Sequence, residues 1–94
     1  MRLVWSHEAI ECLVEIRAWI EQENPRAAQQ VADAIYSAAE SLRRFPRMGR
    51  HGRRSGTRER VVPGTPYVMP YRVRKGIVEI VAVIHGARGW PPET

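Results

Sequence analysis

The most apolar stretch of this chain is the run from Ile77 to Ile84, in which Glu79 is the one charged residue. A short run that is rich in β-branched residues and bounded by turns is typical of a buried strand. A hairpin turn precedes the run at residues 74–76, and a His-Gly-Ala-Arg turn follows it at residues 85–88. We therefore predict a β-sheet with this strand near its centre and with the exit turn at the edge of the sheet.

The first half of the chain predicts two helices. Ser6 is a suitable N-cap, and apolar residues follow it at helical spacing to about Glu23. Asn24 and Pro25 then provide a second cap, with proline at the first helical position. The second helix should end at Phe45, because a proline follows. Since the connection between the two helices is very short, they should form a helical hairpin.

The remaining segments predict a sheet. Besides the apolar run, strands are expected at Arg2–Trp5, Arg58–Val62 and Tyr67–Val73. Residues 47–56 should form a loop, and Pro70 should lie at an edge position or a bulge because it has no N–H to donate. The order β-α-α-β-β-β over residues 1–94 predicts a single α+β domain, with the helical hairpin packed on one face of a mostly antiparallel sheet.

Composition excludes several classes of protein. Cys12 is the only cysteine, which excludes a disulfide framework and favours the reducing cytoplasm. No apolar run approaches the roughly 20 residues that are needed to cross a bilayer, so no membrane partner is expected. The three histidines, His7, His51 and His85, share no metal-ligand spacing, and the chain has no phosphate-binding glycine motif. We therefore expect neither a metal ion nor a cofactor.

The net charge of +5 conceals a strong asymmetry along the chain. Residues 1–42 carry seven acids and three arginines, a net of −4, whereas residues 43–94 carry twelve bases and three acids, a net of +9. Eight arginines lie within residues 43–60. A basic half of this kind favours an anionic partner, whether nucleic acid, the ribosome or an acidic protein segment. A solvated loop is the alternative. The arginines expected to bind the target or another anion are Arg47, Arg50, Arg53, Arg54, Arg58 and Arg72.

Arginines and tyrosines alternate along two of the predicted strands. Residues that lie two apart on a strand point to the same face of a sheet. A face with such side chains could hold phosphates and stack a base. The residues concerned are Arg58, Arg60, Arg72, Arg74, Tyr67 and Tyr71. The alternative is structural: Arg58 pairs across strands with Glu79, and the tyrosines belong to the core with their hydroxyls exposed.

The turn after the last predicted strand presents His85 and Arg88 within four residues. A histidine can transfer a proton near neutral pH, and an arginine beside it could stabilise the transition state of a phosphoryl reaction. The alternative is a structural role, in which His85 closes the turn with a hydrogen bond. Trp90 and Pro91 should pack the chain end onto the domain.

Six short segments, taken in order, form a recognisable set. They are residues 5–9 (WSHEA), 24–28 (NPRAA), 42–50 (LRRFPRMGR), 56–59 (GTRE), 66–73 (PYVMPYRV) and 85–91 (HGARGWP). Each segment is weakly specific alone, but their order and spacing are specific together. Over nearly its full length the chain resembles the RelE/ParE superfamily of bacterial type II toxins, whose β-α-α-β-β-β order agrees with the order predicted above.

The resemblance implies a small toxin that is neutralised by a cognate antitoxin with an acidic segment. It also implies two alternative targets. RelE-like members cut messenger RNA in the ribosomal A site, and the candidate catalytic residues here would be Arg60, His85 and Arg88, with Arg58 also at a matching basic position. ParE-like members poison DNA gyrase and are not nucleases.

The chain departs from the RelE pattern at three positions. Val68 lies where that pattern has an arginine, and Thr94 replaces a tyrosine that acts on the nucleotide. The only lysine, Lys75, lies in a hairpin turn and is not available as the base. His85 or His51 could replace it as a proton carrier. We therefore favour a ParE-like toxin that poisons gyrase, with a RelE-like messenger RNA endonuclease as the alternative.

Overall fold

The computed structural model describes residues 1–87 and Trp90. Two helices follow the first strand, and five strands follow the helices in the described residues. The elements are β1 (Arg2–Trp5), α1 (His7–Glu21), α2 (Pro25–Arg44), β2 (Arg50–His51), β3 (Arg58–Val61), β4 (Tyr67–Arg74), β5 (Ile77–Ile80) and β6 (Ile84–His85). The expected order is confirmed, and the structure adds the two-residue strands β2 and β6.

Both helices begin at the predicted caps. The Ser6 hydroxyl accepts a hydrogen bond from the Ala9 N–H at 3.0 Å and donates one to the Val81 carbonyl at 2.8 Å. It thereby caps α1 and joins it to the sheet. The Asn24 side chain accepts a hydrogen bond from the Ala27 N–H at 3.0 Å, and Pro25 follows it at the start of α2. These local contacts satisfy N–H groups that the first turn of each helix leaves without a partner.

The strands form one sheet in the order β1-β5-β4-β3-β2. The β1–β5 pair is parallel and the other pairs are antiparallel. An α+β fold with two helices on a mostly antiparallel sheet is therefore confirmed. The centre of the sheet is β4, whereas β5, the expected central strand, lies one place away between β1 and β4. Lys75 and Gly76 join β4 to β5 with φ angles of 49° and 77°, as a two-residue type I′ hairpin requires.

The last strand is not continuous from Ile77 to Ile84, as the sequence predicted. It divides into β5 and β6, which both pair with β4. Between these pairings, residues 81–83 of the last strand lie opposite only Met69 and Pro70 of β4. The Val81 N–H donates to the Pro70 carbonyl at 2.9 Å. Pro70 thus lies at an irregularity with one extra residue on the facing strand, which agrees with the bulge expected for a proline inside a sheet.

Buried apolar side chains form a large cluster and a smaller one. The helices cover the face that carries Met69, Tyr71 and Ile80, and α2 contributes Ile35 and Leu42, which are fully buried. A smaller cluster comprises Val68, Ala82, Ile84 and Trp90. Trp90 is buried, as expected, whereas Pro91 lies outside the described residues.

A buried tyrosine connects the end of α2 to the sheet. Tyr71 is fully buried on β4, and its hydroxyl donates to the Pro46 carbonyl at 2.7 Å. The same hydroxyl accepts a hydrogen bond from the Gly49 N–H at 2.9 Å. A Cβ on Gly49 would lie 2.6 Å from the Tyr71 ring and 2.8 Å from the Glu59 carbonyl oxygen, so no larger residue fits without displacement. The turn at residues 45–49 is therefore attached to the core at both ends.

Replacing this hydroxyl should destabilise the fold. Tyr71→Phe leaves the part-buried Pro46 carbonyl and the buried Gly49 N–H without their partner, which costs about 1–3 kcal/mol. We expect a lower midpoint in urea unfolding. Tyr36→Phe is the matched control, because Tyr36 is exposed and its ring contact with Trp5 would persist. Equal midpoints for Tyr71→Phe and the parent would contradict a stabilising role of the Tyr71 hydroxyl.

Candidate anion-binding surface

Two of the predicted anion-binding arginines hold a buried carboxylate of their own chain. The Glu59 side chain is only 1% exposed. The Arg50 guanidinium contacts Glu59 Oε1 at 3.2 Å, and Arg53 contacts Oε2 through both its side-chain Nε at 3.1 Å and its backbone N–H at 3.0 Å. The arginine-rich segment is therefore neutralised in part by the acid at its end, and this contact fastens residues 50–53 onto β3.

The pKa of Glu59 reflects these contacts. Burial alone would raise the pKa of the carboxyl group, because it disfavours the charged form. Hydrogen bonds from the Arg53 side chain and backbone and from Arg50 favour the carboxylate and outweigh burial, so the pKa lies below its ordinary value of 4.5. Glu59 is thus ionised throughout the neutral range and keeps both arginines in place.

Sequence reasoning missed this role of Glu59, although one signal was available. It is the only acid between Glu40 and Glu79, within the most arginine-rich part of the chain. It also alternates with Arg58 and Arg60, so it points to the other face of β3.

Arg58 and Arg60 point to the helix-covered face of the sheet. They are paired in register with Tyr71 and Met69, which belong to the core. Arg58 donates to the Gly49 carbonyl at 2.8 Å and to the Arg47 carbonyl at 3.3 Å, so the alternative pairing with Glu79 is not formed. Instead Arg72 lies opposite Glu79 in the β4–β5 register.

The Arg60 guanidinium is also committed in part. Its terminal nitrogen donates to the Val61 carbonyl at 2.8 Å. Its Nε is buried and finds no hydrogen-bond partner among the described residues. We find no interaction that compensates for this buried donor, which is too enclosed to meet a ligand in the present arrangement.

The expected single face of arginines and tyrosines is therefore wrong. Arg58 and Arg60 share one face with Tyr67 and Tyr71, whereas Arg72 shares the opposite face with Glu59. That second face, away from the helices, also carries the guanidinium groups that hold Glu59. We call the arginines on this face the far-face arginine group, and its members are Arg50, Arg53 and Arg72.

Tyr71 is not available for base stacking or proton transfer. Its ring is fully buried and its hydroxyl is engaged by Pro46 and Gly49. Burial raises the pKa of the hydroxyl, against smaller lowering contributions from the Gly49 hydrogen bond and from the charges of Arg58 and Arg60. The phenol therefore stays protonated at neutral pH.

Each histidine candidate has a different setting. His85 Nδ1 accepts a hydrogen bond from the Ala87 N–H at 3.2 Å, and its ring lies edge-on to Tyr67 with centroids 5.9 Å apart. This contact closes the exit turn, as the structural alternative proposed. His51 is exposed and lies opposite Arg58 in the β2–β3 register. Arg88 and Thr94 lie outside the described residues.

Among the other predicted arginines, Arg47 and Arg54 expose their side chains. Their backbone carbonyls accept hydrogen bonds from Arg58 and from the Thr57 hydroxyl. Within residues 1–87 and Trp90, no group of three or more potential metal-ligating side chains comes together. In the same part of the chain no helix is long and apolar enough to span a bilayer.

The chain shares its fold with a protein of known structure. The chain superimposes on a chain in the solved structure of the chromosomal ParDE TA system from P. aeruginosa with a TM-score of 0.76, covering 90% of this chain and 95% of that one at 21% identity. This likeness establishes a shared fold.

Sequence comparison identifies the family. Residues 3–90 match the ParE toxin of the type II toxin-antitoxin system, parDE. Y4kP of Sinorhizobium fredii (strain NBRC 101917 / NGR234), a proposed toxin, is 41% identical over 96% of this chain and 93% of its own length. Toxin RelE2 of Caulobacter vibrioides (strain ATCC 19089 / CIP 103742 / CB 15) is 40% identical over 93% of this chain and 97% of its own. The chain therefore belongs to the ParE toxin family; it is the toxin of a type II toxin–antitoxin system and has an antitoxin as its partner.

The contact between Glu59 and its arginines should make stability depend on pH. A carboxyl group whose pKa is lower in the folded chain stabilises the fold above its unfolded pKa, and this contribution is lost as pH falls through the folded value. Glu59→Gln should lower the free energy of unfolding by about 1–3 kcal/mol at pH 7. The difference from the parent should shrink as pH falls below 4.5.

Urea unfolding from pH 7 to pH 3 measures this difference. Glu79→Gln is the matched control, because it removes a carboxylate from the neighbouring part of the sheet without touching the contact of Arg50 and Arg53. A Glu59→Gln effect that stays constant over the whole pH range would contradict the assigned role.

Proposed function

We propose that this toxin inhibits growth by poisoning DNA gyrase, in the manner of ParE-like members, and that it is not an enzyme. The observation that carries the proposal is the setting of Arg58 and Arg60. Both donate to carbonyls of their own chain. The tyrosine beside them is buried, hydrogen-bonded and protonated at neutral pH. A ribonuclease needs a group that can take up a proton near neutral pH at the reacting oxygen, and Tyr71 does not meet that need.

Further residues support the same conclusion. Val68, at the position where the RelE pattern has an arginine, is a buried member of the smaller apolar cluster. Lys75 lies in the β4–β5 hairpin, beyond the end of the strand that carries Tyr71. An apolar residue, Val68, thus replaces the arginine of the RelE pattern, and the only lysine lies at a distance from Tyr71.

The far-face arginine group and Arg54 are the side chains that we assign to the target. The side chains of Arg50 and Arg53 stay 60% and 40% exposed while they hold Glu59, so part of each guanidinium faces solvent. Arg72 is half-buried on the same face. Arginines that are oriented by a buried carboxylate present their charge at fixed positions, which suits a surface that contacts the phosphates of gyrase-bound DNA or acidic residues of gyrase.

One observation favours the alternative, a ribosome-dependent ribonuclease. His51 lies directly opposite Arg58 across β2 and β3, which brings an exposed imidazole beside an arginine. In that mechanism the exposed imidazole would carry the proton and Arg58, Arg60 and Arg88 would stabilise negative charge. Both candidate targets are cytoplasmic, so either mechanism places the toxin in the cytoplasm.

Purified toxin, gyrase and plasmid DNA provide the test. We expect the toxin to cause accumulation of gyrase-bound cleaved DNA, while messenger RNA in expressing cells stays intact. Changing Arg54 and Arg72 together to alanine should lower the yield of cleaved DNA, because two cationic contacts are lost. Arg26→Ala, at the start of α2 in the acidic half of the chain, is the matched control. A supercoiling reaction that the toxin does not alter at any concentration would refute the gyrase mechanism.

The alternative makes a separate prediction. If the chain cleaves ribosome-bound messenger RNA, Arg88→Ala should slow cleavage, since removal of one charge-stabilising donor costs about 3 kcal/mol in comparable sites. His51→Ala should slow it as well, because the proton carrier is lost. On the gyrase mechanism neither change alters messenger RNA. Primer extension on messenger from cells expressing the parent or either variant distinguishes the two outcomes.

A further inference from the structure

The turn that follows α2 exposes two large apolar side chains beside arginines. Phe45 is 56% exposed and Met48 is 47% exposed. Arg44 and Arg47 alternate with them and are exposed too. Single exposed apolar residues are common on protein surfaces, but an aromatic residue and a methionine beside arginines match the composition of protein interface cores. We call Arg44, Phe45, Arg47 and Met48 the α2-exit surface.

Hydrogen bonds within the chain hold the α2-exit surface in one conformation. The Met48 N–H donates to the Phe45 carbonyl at 3.2 Å and closes the turn. Tyr71 holds the Pro46 carbonyl at 2.7 Å, and Arg58 binds the carbonyl of Gly49 at 2.8 Å. An exposed segment that is fixed in one conformation loses little conformational entropy on binding, so its contacts contribute more to affinity.

A groove continues the surface along the last turns of α2. It has a volume of about 410 Å³, and its lining includes Phe45, Arg44, Arg43 and Ser41. The Ser41 hydroxyl oxygen lies 3.4 Å from Met48 Sδ, so Met48 lies beside the groove as well. A bulky apolar side chain of a partner could therefore insert between Phe45 and α2.

The charges at this surface select the partner. Arg44 and Arg47 are both basic, and the one acid of the groove lining, Glu40, lies 3.6 Å from Arg43. Cationic charge around apolar side chains favours a polypeptide with acidic residues and apolar anchors. A nucleic acid fits less well, because its phosphates would leave the exposed apolar side chains of Phe45 and Met48 without an apolar partner.

We propose that the α2-exit surface is a docking site for an acidic segment of the antitoxin, with a bulky apolar residue seated beside Phe45. The proposal builds on the antitoxin partner that the family provides and on the acidic character that we expect of that partner. It does not depend on whether gyrase or the ribosome is the target.

Calorimetric titration of the full-length toxin with its full-length antitoxin tests this assignment. Phe45→Ser combined with Met48→Ser should raise the Kd at least tenfold, whereas Phe45→Leu, which keeps an apolar side chain, should raise it much less. Arg44→Glu should weaken binding more at low salt than at high salt. Arg26→Glu makes the same charge change on the same helix, roughly 27 Å away at 1.5 Å per residue, and should have little effect.

Far-ultraviolet circular dichroism and urea unfolding verify that each variant folds, and the gyrase cleavage reaction is run on the same proteins. An unchanged Kd in all of the variants would overturn the proposal. So would an unchanged antitoxin Kd with loss of gyrase poisoning, which would assign the surface to the target. A dimer of the free parent that the Phe45 and Met48 changes dissociate, with antitoxin affinity retained, would assign it to a second copy of the chain. Failure of the parent to affect gyrase leaves the antitoxin Kd as an independent readout.

Discussion

The hydroxyl of Tyr71 connects the two halves of this fold. It lies on the central strand β4, fully buried, and its two hydrogen bonds reach the Pro46 carbonyl and the Gly49 N–H on the segment that leaves α2. Because buried polar groups are costly when they lack a partner, these two bonds restrict where the segment can run. The close approach of Gly49 to the tyrosine ring then fixes the start of β2, and with it the position of the arginine-rich segment over β3.

A single buried acid, Glu59, binds two of the arginines in the basic second half of the chain. Burying the Glu59 carboxylate would be unfavourable alone, but hydrogen bonds from Arg50 and Arg53 compensate for the loss of water. The same contact fixes two guanidinium groups on the face of the sheet away from the helices. Arg58, on the other face, is committed to backbone carbonyls. The positive charge available to a partner is therefore smaller and more sharply placed than the sequence suggests.

The surface that we propose for the target and the surface that we propose for the antitoxin have different properties. A target contact through the far-face arginine group depends on charge held at fixed positions. The α2-exit surface combines apolar area with charge on a rigid turn, which suits a tight and lasting partner. Because the two proposed surfaces are built from different residues, we expect substitutions to separate neutralisation from toxicity. The two surfaces nevertheless adjoin in the chain, because Gly49, whose N–H is held by Tyr71, stands between Met48 of one surface and Arg50 of the other.

The elements that were predicted correctly depend on local signals. The caps at Ser6 and Asn24 and the hairpin at Lys75 and Gly76 are each specified by residues within a few positions. The apolar run from Ile77 to Ile84 was correctly read as strand but incorrectly as one unbroken strand. Its interruption arises from Pro70 on the neighbouring strand, which the pattern within the run does not reveal.

By itself, the sequence determined the α+β order, the helical hairpin, the basic second half and the toxin superfamily, because caps, periodicity and short motifs are local properties of the chain. Only the tertiary structure decided which arginines are engaged and which face they share. Those contacts depend on strand register, and a shift of one residue moves every side chain to the opposite face. Register is set by pairing between distant segments, such as Glu59 with Pro70 and Arg50 with Glu59. The roles of the arginines in this toxin therefore follow from long-range pairing in the sheet.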